Sequence, residues 1–460
     1  MEKTMQIQSN HTGRSTKALV LLGLSLGYFM VLLDTTVVSV ALPSIRAELG
    51  GGISGLQWVV NAYTIVFAGL LLSMGALADT LGAKRVYTCG LVLFLAGSAI
   101  SAAASNLGTL IGMRAILGIG AAALMPASLT LIAHAYPEPV QRARALGIWA
   151  AITGAAMAAG PVLGGLMADS LGWRSIFLLN VPLAIVSLIV TFLFVKETGR
   201  KPRKSFDWRG QIAAVAAIAG LSFGLMEGET YGWSSAVILG AFGLALSGAI
   251  LFLIIEAKGQ DPLLPLPLFK NKTVSAGMVA GMAINIGLSG TLFVLPLFFQ
   301  QIRGLSAHLA GLALLPMMIP LAFNPILTGR IVGRTGARIP MTAGFCLGAL
   351  GTMLQVWTDG RSSYAVTMIG LLLIGFGVSL TIPSLTAAVM SSVPKEQTGA
   401  ISGALNSSRQ LGATLGVAII GSILGGGESF IAGMQASLIV MSAIMFGGSL
   451  LSFAFIGRKP

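Results

Sequence analysis

Stretches of roughly twenty predominantly apolar residues recur along this chain from Ala18 to Ile456, separated by short polar breaks; about twenty such residues are what a helix needs to cross the hydrocarbon of a bilayer. In that solvent each backbone N–H and C=O must be satisfied within the spanning structure, which a helix does by itself. Of the 460 residues, 55% are hydrophobic and 9% charged, against roughly 25% charged in an average soluble domain. No water-soluble core could absorb that much apolar sequence, and the breaks are too short to be independent domains. An all-α integral membrane protein is therefore expected. The first apolar run outlasts a signal-peptide core and lacks a convincing cleavage site, so it reads as a retained span.

A net charge of +13 would suggest nucleic acid in a soluble protein, so the placement of the positive residues decides the matter. Breaks at charges, Pro and Gly clusters predict fourteen spans, at about 18–42, 55–78, 86–104, 107–133, 145–168, 175–195, 209–227, 235–256, 273–300, 309–329, 341–357, 364–391, 399–424 and 431–456. With the N-terminus in the cytoplasm, the outer loops hold only Arg46, Arg174, Arg303 and Arg361, while Arg114 and Arg409 lie within spans. All other Lys and Arg residues fall on the inner side. That bias places both termini in the cytoplasm of a cell-membrane protein and requires an even number of spans. The surplus charge then answers to topology and anionic membrane lipids, with no nucleic acid. Cys89 and Cys346 each sit inside an apolar run and read as packing residues; His11, His134 and His308 form no cluster with Cys or acids. No metal or other cofactor is expected.

A loop pattern repeats. Gly75-Ala-Leu-Ala-Asp79-Thr-Leu-Gly82-Ala-Lys84-Arg85 follows the second span, and Gly329-Arg-Ile-Val-Gly333-Arg-Thr-Gly336-Ala-Arg338 follows the tenth. Repeats of this kind mark transporters that alternate access around a central site. The expected organisation is a cytoplasmic tail (1–17), a six-helix half (18–195), a basic linker (196–208), two inserted helices (209–257), a second linker (258–272), a second six-helix half (273–456) and a short tail (457–460).

Within the first loop, Gly75 and Gly82 permit a tight helix-to-loop approach, and Asp79 can meet helix N-terminal N–H groups or a basic partner such as Arg85. The fifth span contains Gly154-Ala-Ala-Met-Ala-Ala-Gly160-Pro161-Val-Leu-Gly164-Gly165, whose small residues let a neighbouring helix come close. Asp34, in Leu33-Asp34-Thr35-Thr36, is the acidic residue deepest in any predicted span. A carboxylate there costs about 2.5–3.5 kcal/mol on insertion scales, so it either carries function or is bonded between helices. Arg114, in Arg114-Ala-Ile-Leu-Gly118, lies at a similar depth and could pair with it or tie backbone carbonyls together.

These residues resemble the major facilitator superfamily over essentially the whole chain, and specifically its drug:proton antiporters with fourteen spans. The resemblance implies two six-helix halves plus two inserted helices, a conformational latch at Gly75, Asp79, Gly82 and Arg85, and an antiporter motif at Gly154, Gly160, Pro161, Gly164 and Gly165. It also implies a cavity that Asp34 and Arg114 share for proton coupling. Thr80 and Ala83 stand where basic residues are common, Leu117 where Gln is frequent, and Gly333 replaces the acid of the second loop. Family members that expel cations often carry an acid where Asn61 stands in Trp58-Val-Val-Asn61-Ala-Tyr63. Asn285, Phe293, Gln300 and Asn324, with Trp58, Asn61 and Tyr63, are candidates for the substrate cavity, or packing residues; Arg409 reads as structural.

The expected function is multidrug efflux: proton-coupled antiport exporting lipophilic or amphipathic small molecules by rocking of the halves, in a monomer, with lipophilic substrate, protons and membrane lipids as partners. Export of one endogenous metabolite, lipid or siderophore, or proton-coupled uptake, stays open. A membrane enzyme or sensor is disfavoured by the lack of any long loop.

Overall fold

The computed structural model describes residues 2–199, 207–259, 264, 266–394, 397–427 and 429–457, with side chains from residue 16 onward. Among these residues all regular structure is helical. In order come α1 (Glu2–Leu49), α2 (Ile53–Leu81), α3 (Ala83–Ala102), α4 (Leu107–Ala135), α5 (Pro139–Leu171), α6 (Ser175–Phe194), α7 (Trp208–Tyr231) and α8 (Ala236–Lys258). After them follow α9 (Lys272–Ile302), a short helix at Ala307–Ala313, α10 (Leu315–Thr335), α11 (Arg338–Gln355), α12 (Tyr364–Ser391), α13 (Thr398–Gly425) and α14 (Phe430–Phe455).

Three boundaries differ from expectation. Pro43 does not end α1, which runs on to Leu49, and residues 2–17, read as a tail, continue that helix. The tenth span, expected at 309–329, starts at Leu315 because the short helix precedes it. The core of the basic linker at 200–206, and Lys395, Arg458 and Lys459, lie outside the described residues. By length and apolar composition, 12 helices among the described residues are able to cross a membrane. α11 and α13 are not among them: the 18 residues of α11 include Arg338 and Gln355 at its two ends, and α13 carries Asn406-Ser-Ser-Arg409-Gln.

Packing makes the internal repeat visible in three dimensions. α1 packs on α4, α5 and α6; α2 and α3 pack on α4, and α3 on α6. In the second part α9 packs on α12, α13 and α14; α10 and α11 pack on α12, and α11 on α14. Each pairing in one bundle thus recurs in the other when α1–α6 are matched to α9–α14. Between bundles α2 meets α13, and α5 meets α10 and the short helix before it; the α2–α13 and α5–α10 contacts exchange under the same matching, as an approximate two-fold requires. The loop repeat takes the same shape twice: α2 ends at Gly82 with φ +103° and α10 at Gly336 with φ +77°, a conformation that glycine adopts without strain.

α7 and α8 pack on each other, and α7 also packs on α2 and α13. The Gln211 side chain of α7 accepts from Ser73 and donates to the Gly69 carbonyl of α2. At the other end Glu227 accepts from Ser54 Oγ at 2.6 Å and Trp58 Nε1 at 2.7 Å. α8 lies outermost, with only 11% of its most apolar window buried.

Truncating Glu227 strands a tryptophan N–H and a serine hydroxyl. We expect Glu227→Ala to cost about 1–3 kcal/mol, read as a lower midpoint in thermal unfolding of the detergent-purified protein, with Glu227→Gln milder. An unchanged midpoint in Glu227→Ala would show that these bonds do not hold α7 to α2.

Candidate functional site

α1 runs from a near face, where the N-terminus lies, to a far face at Leu49. Inside the first bundle, Arg114 of α4 donates through Nη1 to Asp34 Oδ2 of α1, and both side chains are 1% exposed. Its Nε donates to the Val59 carbonyl of α2 at 2.8 Å, and its guanidinium lies 4.6 Å from the centre of the Tyr63 ring. Tyr63 in turn donates to the Val31 carbonyl at 3.1 Å. The second carboxylate oxygen accepts from Asn180 Nδ2 of α6 at 3.3 Å; the same amide nitrogen stands 3.4 Å from Ser98 Oγ of α3. Five helices therefore meet on one ion pair. Charge of either sign alone would be costly at this depth, and the pair cancels it locally. Asn180 Oδ1 is buried and has no hydrogen-bond partner.

At the loop after α2 the N-terminus of α3 is met by Glu197: Lys84 N donates to its Oε1 at 2.9 Å and Arg85 N to its Oε2 at 3.3 Å. Arg85 Nε lies 4.0 Å from the same carboxylate, so Arg85 is paired within its own bundle. Thr198 adds a bond from Ala83 N at 3.0 Å. Gly82 is required there by its φ of +103°, and a Cβ would in addition displace the Glu197 carboxylate. Gly75 is not, since its nearest neighbour would be Pro126 at 3.7 Å. Asp79 stands half-buried in the last turn of α2.

The small residues of α5 divide into two roles. A Cβ at Gly160 would lie 2.8 Å from Thr36 Cβ, and one at Gly164 would lie 2.9 Å from the Val37 carbonyl, so these glycines seat α5 on α1. Gly165 faces the other bundle: its Cβ would lie 2.7 Å from the Ala307 carbonyl carbon, and one at Gly311 would lie 2.7 Å from that of Pro161. Gly154 has open space around it and takes no part in either contact.

Beside this seam, Asp169 accepts from the backbone N–H groups of Ala307 at 3.1 Å and His308 at 2.8 Å, capping the short helix. Gln300 donates to the Val40 carbonyl at 2.8 Å. On the opposite side of the molecule, Gln57 donates to the carbonyls of Val417 at 3.0 Å and Ala418 at 2.9 Å, and Asn61 to that of Thr414 at 3.2 Å. Thus Asn61 and Gln300, expected to line a cavity, instead clasp the two bundles toward the far face, and Trp58 is engaged by Glu227. Tyr63 belongs to the ion-pair site. Asn324 joins Ser379 at 2.8 Å within the second bundle, Asn285 donates to the Gly281 carbonyl at 3.0 Å, and Phe293 is buried.

A mostly apolar cavity of about 280 Å³ opens between α2, α7, α8, α9 and α13, bordered by Leu72, Gln211, Phe252, Phe269, Met282 and Ser408. Sequence reading missed it, together with Asn180, Glu197 and Asp169. Polar residues near span ends were the only signal for these three, and nothing distinguished them from loop residues. Among the described residues no group of His, Cys, Asp and Glu could hold a metal ion.

Removing one partner of the ion pair leaves the other buried and uncompensated. Asp34→Ala and Arg114→Ala should each destabilise by about 3–5 kcal/mol, while the double variant should be less destabilised than the sum; thermal unfolding of the three variants checks this, and strict additivity would argue against the pair. In the same assay Gly160→Leu and Gly164→Leu should lose about 1–3 kcal/mol through overpacking, with Gly154→Leu close to the parent. Equal loss at all three positions would contradict the division of roles along α5.

Residues 24–417 match the Major Facilitator Superfamily. The chain is 37% identical over 444 residues to the methylenomycin A resistance protein of Bacillus subtilis, covering 96% of this chain and 95% of that one. It is 36% identical over 409 residues to multidrug resistance protein Stp of Mycobacterium tuberculosis, covering 89% of this chain and 76% of that one. Among solved structures, a POT family transporter in complex with a thioalcohol-conjugated peptide superposes with TM-score 0.72 at 14% identity, over 94% of each chain.

Proposed function

The chain belongs to the Major Facilitator Superfamily and is a multi-pass membrane transporter rather than an enzyme; on that basis we propose that it is a proton-coupled antiporter that exports lipophilic or amphipathic small molecules. The observation that carries the coupling is the sealed Asp34–Arg114 pair with its orphaned neighbour, Asn180 Oδ1. Ionised, Asp34 holds Arg114 and accepts from the Asn180 amide. Protonated, it gives up its claim on the guanidinium and gains an O–H, which the Asn180 amide can accept by turning its oxygen inward. One amide thus serves both protonation states, while release of Arg114 loosens α4 from α1. The relatives' names divide between one antibiotic and many drugs, so the rival reading, a dedicated exporter of one compound, differs in breadth rather than in mechanism.

In this reading the chain crosses the bilayer fourteen times, with both termini in the cytoplasm. α11 and α13 count as spans because other helices cover them. The halves α1–α6 and α9–α14 rock about the α2–α13 and α5–α10 seams. The bonds of Asp169, Gln300, Gln57 and Asn61 then lie toward the outer face, so the structure represents a state closed to the outside. The apolar cavity beside α7 and α8 supports entry of lipophilic compounds from the membrane.

Asp34→Asn keeps the shape and most hydrogen bonding of the site but cannot exchange a proton. In proteoliposomes with an imposed pH gradient it should lose gradient-driven export while still equilibrating substrate down its own gradient. Full gradient-driven export by Asp34→Asn would remove Asp34 from the coupling step.

A further inference from the structure

We infer that Arg409 is the recognition point of an anion site between the two halves, so that among amphipathic compounds those bearing a carboxylate are preferred. The inference deepens the export reading and rests on it. Arg409 lies on α13 about three turns, or ~16 Å, in from Thr398, well inside the membrane-spanning part of the helix. Its stem packs against Gly281 of α9, with Cγ 3.1 Å from where a Cβ would stand. Tyr28 of α1, in the opposite half, lies within electrostatic reach of its guanidinium. Tyr28 stacks on Trp149 of α5, with ring centroids 4.9 Å apart and planes 7° from parallel.

What sets this place apart is donors without acceptors. Arg409 forms no ion pair among the described residues, and its guanidinium reaches only Asn406 Oδ1, at 3.5 Å. Its Nε and the indole Nε1 of Trp149 are both buried without a hydrogen-bond partner. Native structures rarely leave buried donors in this condition, least of all a cation inside a span. Arg114 supplies the internal contrast: it has the same side chain, is fully buried within a span, and has its needs met by Asp34, Val59 and Tyr63. The fold neutralises the arginine it buries and leaves the half-buried one open.

A guanidinium fork is suited to a carboxylate, which it can bind through two parallel N–H bonds. The stacked Tyr28–Trp149 pair offers a flat apolar wall for the rest of the molecule. A cationic compound would be repelled by Arg409 and would find both oxygens of Asp34 occupied. Charge movement separates the cases as well. A neutral compound leaving in exchange for one entering proton carries one charge across, and an anion leaving in the same exchange carries two.

The test uses three dansyl probes that differ in charge: dansylglycine, its methyl ester, and dansylcadaverine. Binding to the purified full-length protein in nanodiscs is read by equilibrium dialysis, and transport in proteoliposomes with pH gradient and potential set separately. Dansylglycine should bind about tenfold or more tightly than the ester, and dansylcadaverine least. Arg409→Gln should abolish the preference for dansylglycine while leaving ester affinity within about twofold, and Arg409→Lys should restore part of it. Equal affinity of acid and ester in the parent, or loss of both probes together in Arg409→Gln with its thermal midpoint unchanged, overturns the inference. If Arg409→Gln does not fold, Arg409→Lys decides, since a retained positive charge must retain an acid preference. Dansylglycine bound in an Arg409-dependent way but never transported would overturn the export reading and leave the site standing. Ester exported with no acid preference would do the reverse.

Discussion

A bilayer interior offers buried charge no water, and the first bundle is built around that fact. Asp34 and Arg114 are 1% exposed and reach each other from α1 and α4, while Val59 and Tyr63 on α2 and Asn180 on α6 use up most of what remains of their bonding capacity. Each of these helices is thereby fixed in rotation: turning any of them by one residue, about 100°, would withdraw its group and leave a charge or amide unmet in hydrocarbon. Apolar packing between helices is far less particular about rotation, because lipid tails are as good a neighbour as another leucine. The polar site therefore sets the register of the bundle, and glycines such as Gly160 and Gly164 allow the backbones to come close enough for that register to be reached.

The second bundle repeats the helix pairings of the first without repeating its ion pair. Thr328, Asn324 and Ser379 form a neutral network there, and the loop corresponding to Asp79 carries Gly333. An approximate two-fold in the backbone thus supports two chemically different halves. The seams between them are asymmetric too: α2 meets α13 through side-chain amides on backbone carbonyls, whereas α5 meets the short helix and α10 through bare glycine and a capped helix end. Hydrogen bonds to backbone carbonyls and glycine contacts of this kind suit surfaces that part and re-form.

Much of this was legible in the sequence because hydrocarbon imposes a simple code. Apolar run lengths located the helices to within a few residues in most cases, and the scarcity of deep charge singled out Asp34 and Arg114 before any geometry was known. The misreadings share a cause. Pro43 and the polar residues beyond it looked like a span end, but α1 emerges from the apolar zone and continues. The anion at the start of α3 is Glu197, far off in the chain, which the loop motif does not name. Asn61 and Gln300 looked like cavity residues because they are polar within spans; their partners are backbone carbonyls on the other bundle, which no side-chain pattern reveals. Long-range pairing was legible only where both members were charged and therefore rare.

α7 and α8 explain why α13 is not among the 12 helices that composition marks as able to cross a membrane. α13 packs on α2, α9 and α14, and α7 packs against it as well, so most of its circumference touches protein rather than lipid. A helix so enclosed needs no apolar coat, and α13 carries Ser402 and then Asn406, Ser407, Ser408, Arg409 and Gln410 in succession. α8, on the lipid side of α7, shows the opposite composition: its most apolar window has hydropathy 2.6 and is 11% buried. Hydropathy has been moved outward by one layer. Without α7 and α8 the outer side of α13, with Ser407 and Ser408, would face hydrocarbon, and its polar run would be difficult to keep in a membrane. With them, α13 is free to bring polar and cationic groups to the seam where the two halves meet. The insertion is in this sense part of the central site, although its own contacts with α2, through Gln211 and Glu227, lie on the periphery.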